Sequence, residues 1–125
     1  KGLGVPFLYE PGQHYVMTFL SAMGTPIARR IEVWVPTEDR KALLFNTGHC
    51  DRTPEFSLDY AQTRLTHESC ILGRVWALGL PAISDSIQHE ASDVGVSAQK
   101  AGLSTLIAFP VLEAGRLKAV VAFYL

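Results

Sequence analysis

The chain has 125 residues, 48% of them apolar, which is enough to bury the core of one domain. Its formal net charge of −1 offers no general attraction to nucleic acid or to an anionic membrane, and no apolar run reaches the roughly 18–20 residues that span a bilayer. Two cysteines, Cys50 and Cys70, make no disulfide framework, so a reducing cytoplasm is the expected setting; a start on Lys1 rather than Met reads as a piece of a longer protein.

In residues 1–28, Val5–Tyr9 and His14–Leu20 flank Glu10-Pro11-Gly12, the pattern of a turn between two strand-like runs, with a helix over His14–Met23 as the competing reading. Pro6, Leu8, Val16 and Phe19 recur at a constant offset as Pro110, Leu112, Val120 and Phe123. This opening is therefore a hairpin extension of the following domain, the end of a preceding repeat, or simply another buried hairpin. Arg29–Pro36 then alternates, with Ile31, Val33 and Val35 on one side and Arg30, Glu32 and Trp34 on the other, as a half-buried strand does. Thr37–Lys41 is a charged turn, and Ala42–Thr47 is the returning strand with Leu44 and Phe45 packed. Residues 48–54 read as loop, and Phe56–Leu65 as a helical segment with Phe56, Tyr60 and Leu65 inward.

From Ser69 the pattern sharpens. Ile71, Leu72, Val75 and Trp76 share a helical face, with Ser69 as expected N-cap and Gly79 and Pro81 as stops. Ala82–Ser86 is a short strand ending near Asp85. Ala91–Ala101 is a second helix capped by Ser92 and stopped by Gly102, with Val94, Ala98 and Ala101 inward; Gly95 weakens it. Ser104–Val111 is apolar at almost every position, as a buried central strand should be, and Glu113-Ala114-Gly115-Arg116 joins it to Leu117–Leu125 as a hairpin.

Gly73–Asp85 (GRVWALGLPAISD), Ala101–Val111 (AGLSTLIAFPV) and the closing Arg116–Tyr124 (RLKAVVAFY) follow one another in the order and spacing of the GAF domain, which this chain resembles over its last 57 or so residues and more loosely over Ile31–Asn46. The resemblance implies an α+β sandwich: a central antiparallel sheet of five to six strands with helices packed on it. It sets a GAF-like domain at 29–125, after the extension at 1–28. It implies a non-catalytic sensory or regulatory domain of a signalling protein, with an unknown small molecule held between the sheet and its covering helix. It also implies homodimerisation, an effector domain in the parent protein, and no nucleic-acid or membrane partner. Mapped onto this sequence, the ligand lining would be Ile83, Asp85 and Ile87, then Val94 and Ala98, then Phe109 and Phe123, with Asp85 as the polar member. The ligand-free alternative is a GAF-like association module whose pocket is filled by bulky residues.

Other chemistry finds less support. Gln88–Gly102 holds no cysteine to attach a bilin, so no cofactor is expected; the several cysteines of the methionine-sulfoxide-reducing branch and the N-K-F-D-E signature of the cyclic-nucleotide branch have no counterpart. Cys50 beside His49 and Asp51 resembles an activated nucleophile, but adjacent residues on an extended chain point apart. A metal set drawn from His49, Cys50, His67 and Cys70 lacks the usual gap between its first two ligands. No phosphate loop, H-E-x-x-H or G-x-S-x-G is present.

Overall fold

The structure is a computed structural model that describes residues 28–125. The expected opening hairpin and its likeness to the closing strands lie, but for Ala28, outside the described residues. Strands β1 (Arg30–Pro36), β2 (Leu43–Cys50), β3 (Ala82–Ser84), β4 (Leu106–Glu113) and β5 (Arg116–Tyr124) form one antiparallel sheet in the order β2-β1-β5-β4-β3. Helices α1 (Ile71–Leu78) and α2 (Asp93–Ala101) and the 3₁₀ turns Phe56–Tyr60 and Ile87–His89 complete the α+β architecture expected.

Local chemistry explains most boundaries. Ala114 and Gly115 take φ 54° and 76°, two successive left-handed residues whose twist suits the tight turn joining β4 to β5. Gly79 (φ 68°) ends α1 and Gly102 (φ 70°) ends α2. Ser92 caps α2 by accepting the Gly95 N–H at 3.2 Å. Ser69, expected to cap α1, instead accepts the Thr66 N–H at 2.6 Å, and the Ile71 N–H is met from a distance by Glu90 Oε1 at 3.2 Å. Gly95 belongs inside α2 because a Cβ there would lie 2.2 Å from the Glu90 carbonyl oxygen.

Two strand expectations need correcting. In β2 the packed leucine is Leu43, which is fully buried, while Leu44 is exposed; Asn46 is passed over in the pairing with β1, and that bulge resets the alternation. β4 buries Leu106 and Ala108 but leaves Phe109, Val111 and Leu112 exposed, so its continuous apolar run marks one covered face rather than two. The main core lies on the inner face of the sheet, where Trp34, Leu106, Ala108, Val120, Ala122 and Tyr124 meet α1 and α2. Ala28, Ile31, Val121 and Phe123 form a smaller cluster on the outer face.

Candidate functional site

The alternation along β1 sets Arg30, Glu32 and Trp34 on one face, and that face is the inner one. None of the three is more than 1% exposed, so β1 is buried on both faces rather than half-buried. On the inner face the Phe56–Tyr60 turn and α2 close over it, and on the outer face Ile31 packs with Ala28, Val121 and Phe123. Register places Ala122 beside Glu32 and Ala108 beside Ala122, and these small side chains leave room above the sheet for polar groups.

Those groups form a closed cluster. Glu32 accepts from Trp34 Nε1 at 3.0 Å and the Tyr124 hydroxyl at 2.9 Å through one oxygen, and from the Tyr60 hydroxyl at 2.6 Å and Arg30 Nη1 at 3.3 Å through the other. Arg30 Nη1 also donates to Ser97 Oγ at 2.8 Å and approaches the Tyr60 oxygen at 3.4 Å, while Nη2 donates to Thr53 Oγ1 at 3.0 Å. The guanidinium lies 4.3 Å from the centre of the Phe56 ring. Ser97 passes the connection outward, donating to Asp59 at 2.8 Å, and Asp59 pairs with Lys100 at 3.3 Å. Among the described residues, Asn46 Oδ1 is buried without a hydrogen-bond partner, and Arg30 Nε meets no oxygen or nitrogen acceptor, although the Cys50 thiol, 3.3 Å from the Thr53 hydroxyl, bonds the same guanidinium.

Burial sets the electrostatics. It raises the Glu32 carboxyl above its ordinary range in spite of the donors from Tyr60, Trp34, Arg30 and Tyr124. It raises the Tyr60 and Tyr124 hydroxyls too, reinforced by the Glu32 charge beside them, so both phenols stay protonated and donate. Burial works to raise the Cys50 thiol, but the Thr53 hydroxyl, the Arg30 guanidinium and the amides of Thr53 and Arg52 outweigh it and the thiol is lowered. Arg30 loses to desolvation but gains from Cys50 and Glu32, and stays charged. The arrangement can therefore hold a permanent cation and several neutral donors out of water. A separate polar recess of about 450 Å³ opens at the start of α2, between Thr63, Arg64, Ser69 and Asp93.

The residues expected to line one pocket do not come together. Ile87, Val94 and Ala98 are fully buried in the main core, over the inner face. Ile83 is 72% exposed and Phe109 38%, and Phe109 meets Phe123 edge-to-face at 5.6 Å on the outer side of the sheet, the opposite parity to Ala108 and Ala122. Asp85 is exposed. His49 is exposed while its neighbour Cys50 is buried, and no group of three or more His, Cys, Asp or Glu among the described residues is placed to hold a metal. Trp76 packs in the core and stacks on His67 at 3.8 Å. The residues missed are Arg30, Glu32, Thr53, Ser97 and Tyr124. The legible signal was the R-x-E-x-W spacing, which puts two charges and an indole on one side of a strand.

No protein-family model matches the sequence, and the search of curated proteins found no match. Solved structures do match. The GAF domain of A. aeolicus nlh2 in an inactive state is 15% identical, with a TM-score of 0.66 over 98% of this chain and 70% of that one. The NreA protein of Staphylococcus aureus, mutated in its nitrate-binding site, is 11% identical, with a TM-score of 0.68 over 94% and 86%. The free methionine-R-sulfoxide reductase of Neisseria meningitidis, in complex with its substrate, is 14% identical, with a TM-score of 0.63 over 89% and 58%. A five-stranded antiparallel sheet with both described helices on one face, matched at this level by structures named as GAF domains, gives this chain a GAF-like fold.

Proposed function

We propose that this domain is a non-catalytic sensor that takes a small molecule between the inner face of the sheet and α2. The observation that carries the reading is the buried charged cluster, in which Ser97 ties Arg30 of the sheet directly to α2. A ligand exchanging with any member of that cluster changes what α2 is bonded to. Ligand binding would favour one arrangement of the Asp85–Gly102 cover and pass the preference to an effector domain or dimer partner, by no more than the ligand's differential affinity for the two arrangements. The nitrate-binding site of the similar NreA protein supports a small-molecule role for this fold. The similar sulfoxide reductase shows that the fold also hosts an enzyme; here Cys50 and Cys70 are both buried, which favours the non-catalytic reading.

The test is native mass spectrometry of protein purified from cells, with hydrogen exchange as the second readout. A retained small molecule whose removal speeds exchange at Asp93–Ala101 supports the sensor. A bare chain mass, with no thermal shift across a metabolite panel, favours the alternative: a ligand-free association module. The observation on that side is the exposed apolar outer surface at Ile83, Phe109 and Val111. Such a module would appear as a homodimer in the same spectrum.

A further inference from the structure

The outer face of the sheet is covered in one half and bare in the other. Ile31 and Val33 on β1 and Ala119 on β5 share the outward parity of Val121 and Phe123, and none of the three is more than 3% exposed. On β4 and β3 the outward Phe109 and Ile83 are 38% and 72% exposed. Neighbouring strands stand about 4.8 Å to the side of a residue and not above it, so a sheet does not seal its own face. Ala28 is the one member of the outer cluster from outside the strands. Its single methyl sits at the Ile31–Phe123 end, and Ala119 lies about 13 Å along β5 from Phe123 at the usual rise of a strand.

We propose that residues 14–23 of this same chain cover the strip formed by Ile31, Val33, Ala119, Val121 and Phe123. The chain comes onto the sheet at that place: the Arg29 N–H donates to the Tyr124 carbonyl at 2.7 Å, and Ala28 is already packed on the outer side. Residues 24–27 separate the two, and among them Gly24 and Pro26 are the residue types that reverse a chain. The sequence before them is two-sided. At helical spacing Val16, Phe19, Leu20 and Met23 fall at i, i+3, i+4 and i+7 on one side, and His14, Thr18 and Ser21 fall on the opposite one. Ten residues at a helical rise span about 15 Å, the length of the strip. A hairpin added at a sheet edge does not serve, because it would lie beside β2 or β3 while β1 and β5 are interior strands. A second copy is the weaker occupant, because a segment tethered by four residues is present at an effective concentration of about millimolar or more. The inference is independent of what the inner face binds.

The experiment uses the full chain with ¹³C-labelled methionine, isoleucine and valine methyls. Met17 and Met23 are the two methionines of the protein, and only Met23 belongs to the apolar side. Nuclear Overhauser contacts from the Met23 methyl to the methyls of Val33 and Val121 are expected, severalfold stronger than any from Met17. In a mixture of differently labelled chains these contacts should not cross between chains. Phe19→Ser should raise the fluorescence of a bound hydrophobic dye severalfold and lower the melting temperature. Absence of contacts from Met23 to the strip overturns the proposal, and so does a Phe19→Ser chain that matches wild type in both dye binding and melting. Contacts seen only between chains overturn it in favour of a second copy. Should Phe19→Ser fail to fold, the contacts measured on wild type still decide.

Discussion

On β1 and β5 the inner face of the sheet hides Arg30, Glu32 and Tyr124, none more than 1% exposed; on β3 and β4 the outer face shows Ile83, Phe109 and Val111 to solvent. Charge lies inside and bare hydrocarbon outside, the reverse of a simple sorting by polarity. The inner charges persist because each is met: Glu32 by four donors, Arg30 by four oxygen acceptors and two aromatic rings. The outer apolar atoms persist because leaving one side chain in water costs a folded domain little. The inner cluster is therefore where single changes are expensive, and the outer face is where they are tolerated.

That contrast breaks most easily at Arg30. Arg30→Met leaves the Glu32 carboxylate buried and uncompensated, and urea denaturation should show a loss of about 3–5 kcal/mol. Arg30→Met with Glu32→Gln should recover a large part of it, because the orphaned charge is gone. The cover over the cluster comes next. Gly95→Ala raises helix propensity by about 1 kcal/mol, but the new Cβ would meet a backbone carbonyl at 2.2 Å that cannot swing away. The clash wins, and a net loss of about 1–3 kcal/mol is expected in the same assay. On the outer face, Ile83→Thr, at a side chain 72% exposed, should stay within about 0.5 kcal/mol of wild type, and a larger loss would mean that this surface is covered in solution.

A pH series sharpens the comparison further. Burial raises the Glu32 carboxyl in the folded chain, so the folded state binds this proton more tightly than the unfolded one. The contribution to stability is then fully present below the unfolded value, about 4.3, and is lost as pH rises through the folded value. The stability of wild type relative to Glu32→Gln should fall over that range. A rise would mean that the four donors outweigh burial and hold the carboxyl down.

Much of the fold was legible. The hairpin turn at Ala114–Gly115, the two glycine stops and the Ser92 cap follow from residue chemistry that acts locally. The inner site was not, for a physical reason. Alternation tells which residues of β1 share a side, but not which side the rest of the chain will cover. Arg30 and Glu32 look like solvent residues until Tyr60, Ser97 and Tyr124 arrive from 28 to 92 positions away. The mapped lining failed to converge on the same account: Phe109 and Phe123 share one parity of the sheet while Ala108 and Ala122 take the other, and the small residues, not the large ones, mark the occupied side.

The distant cap of α1 has its own consequence. The first amide of this helix is met by Glu90, nineteen residues downstream, whose other oxygen holds Arg74 on the helix at 3.1 Å. The helix thus lacks a start signal within its own sequence. A chain growing from its N-terminus makes all eight residues of α1 before the group that fixes their beginning exists. The start of α1 is therefore closed by chain that follows it: a fragment ending before Glu90 holds the helical residues but not the acceptor that closes the helix.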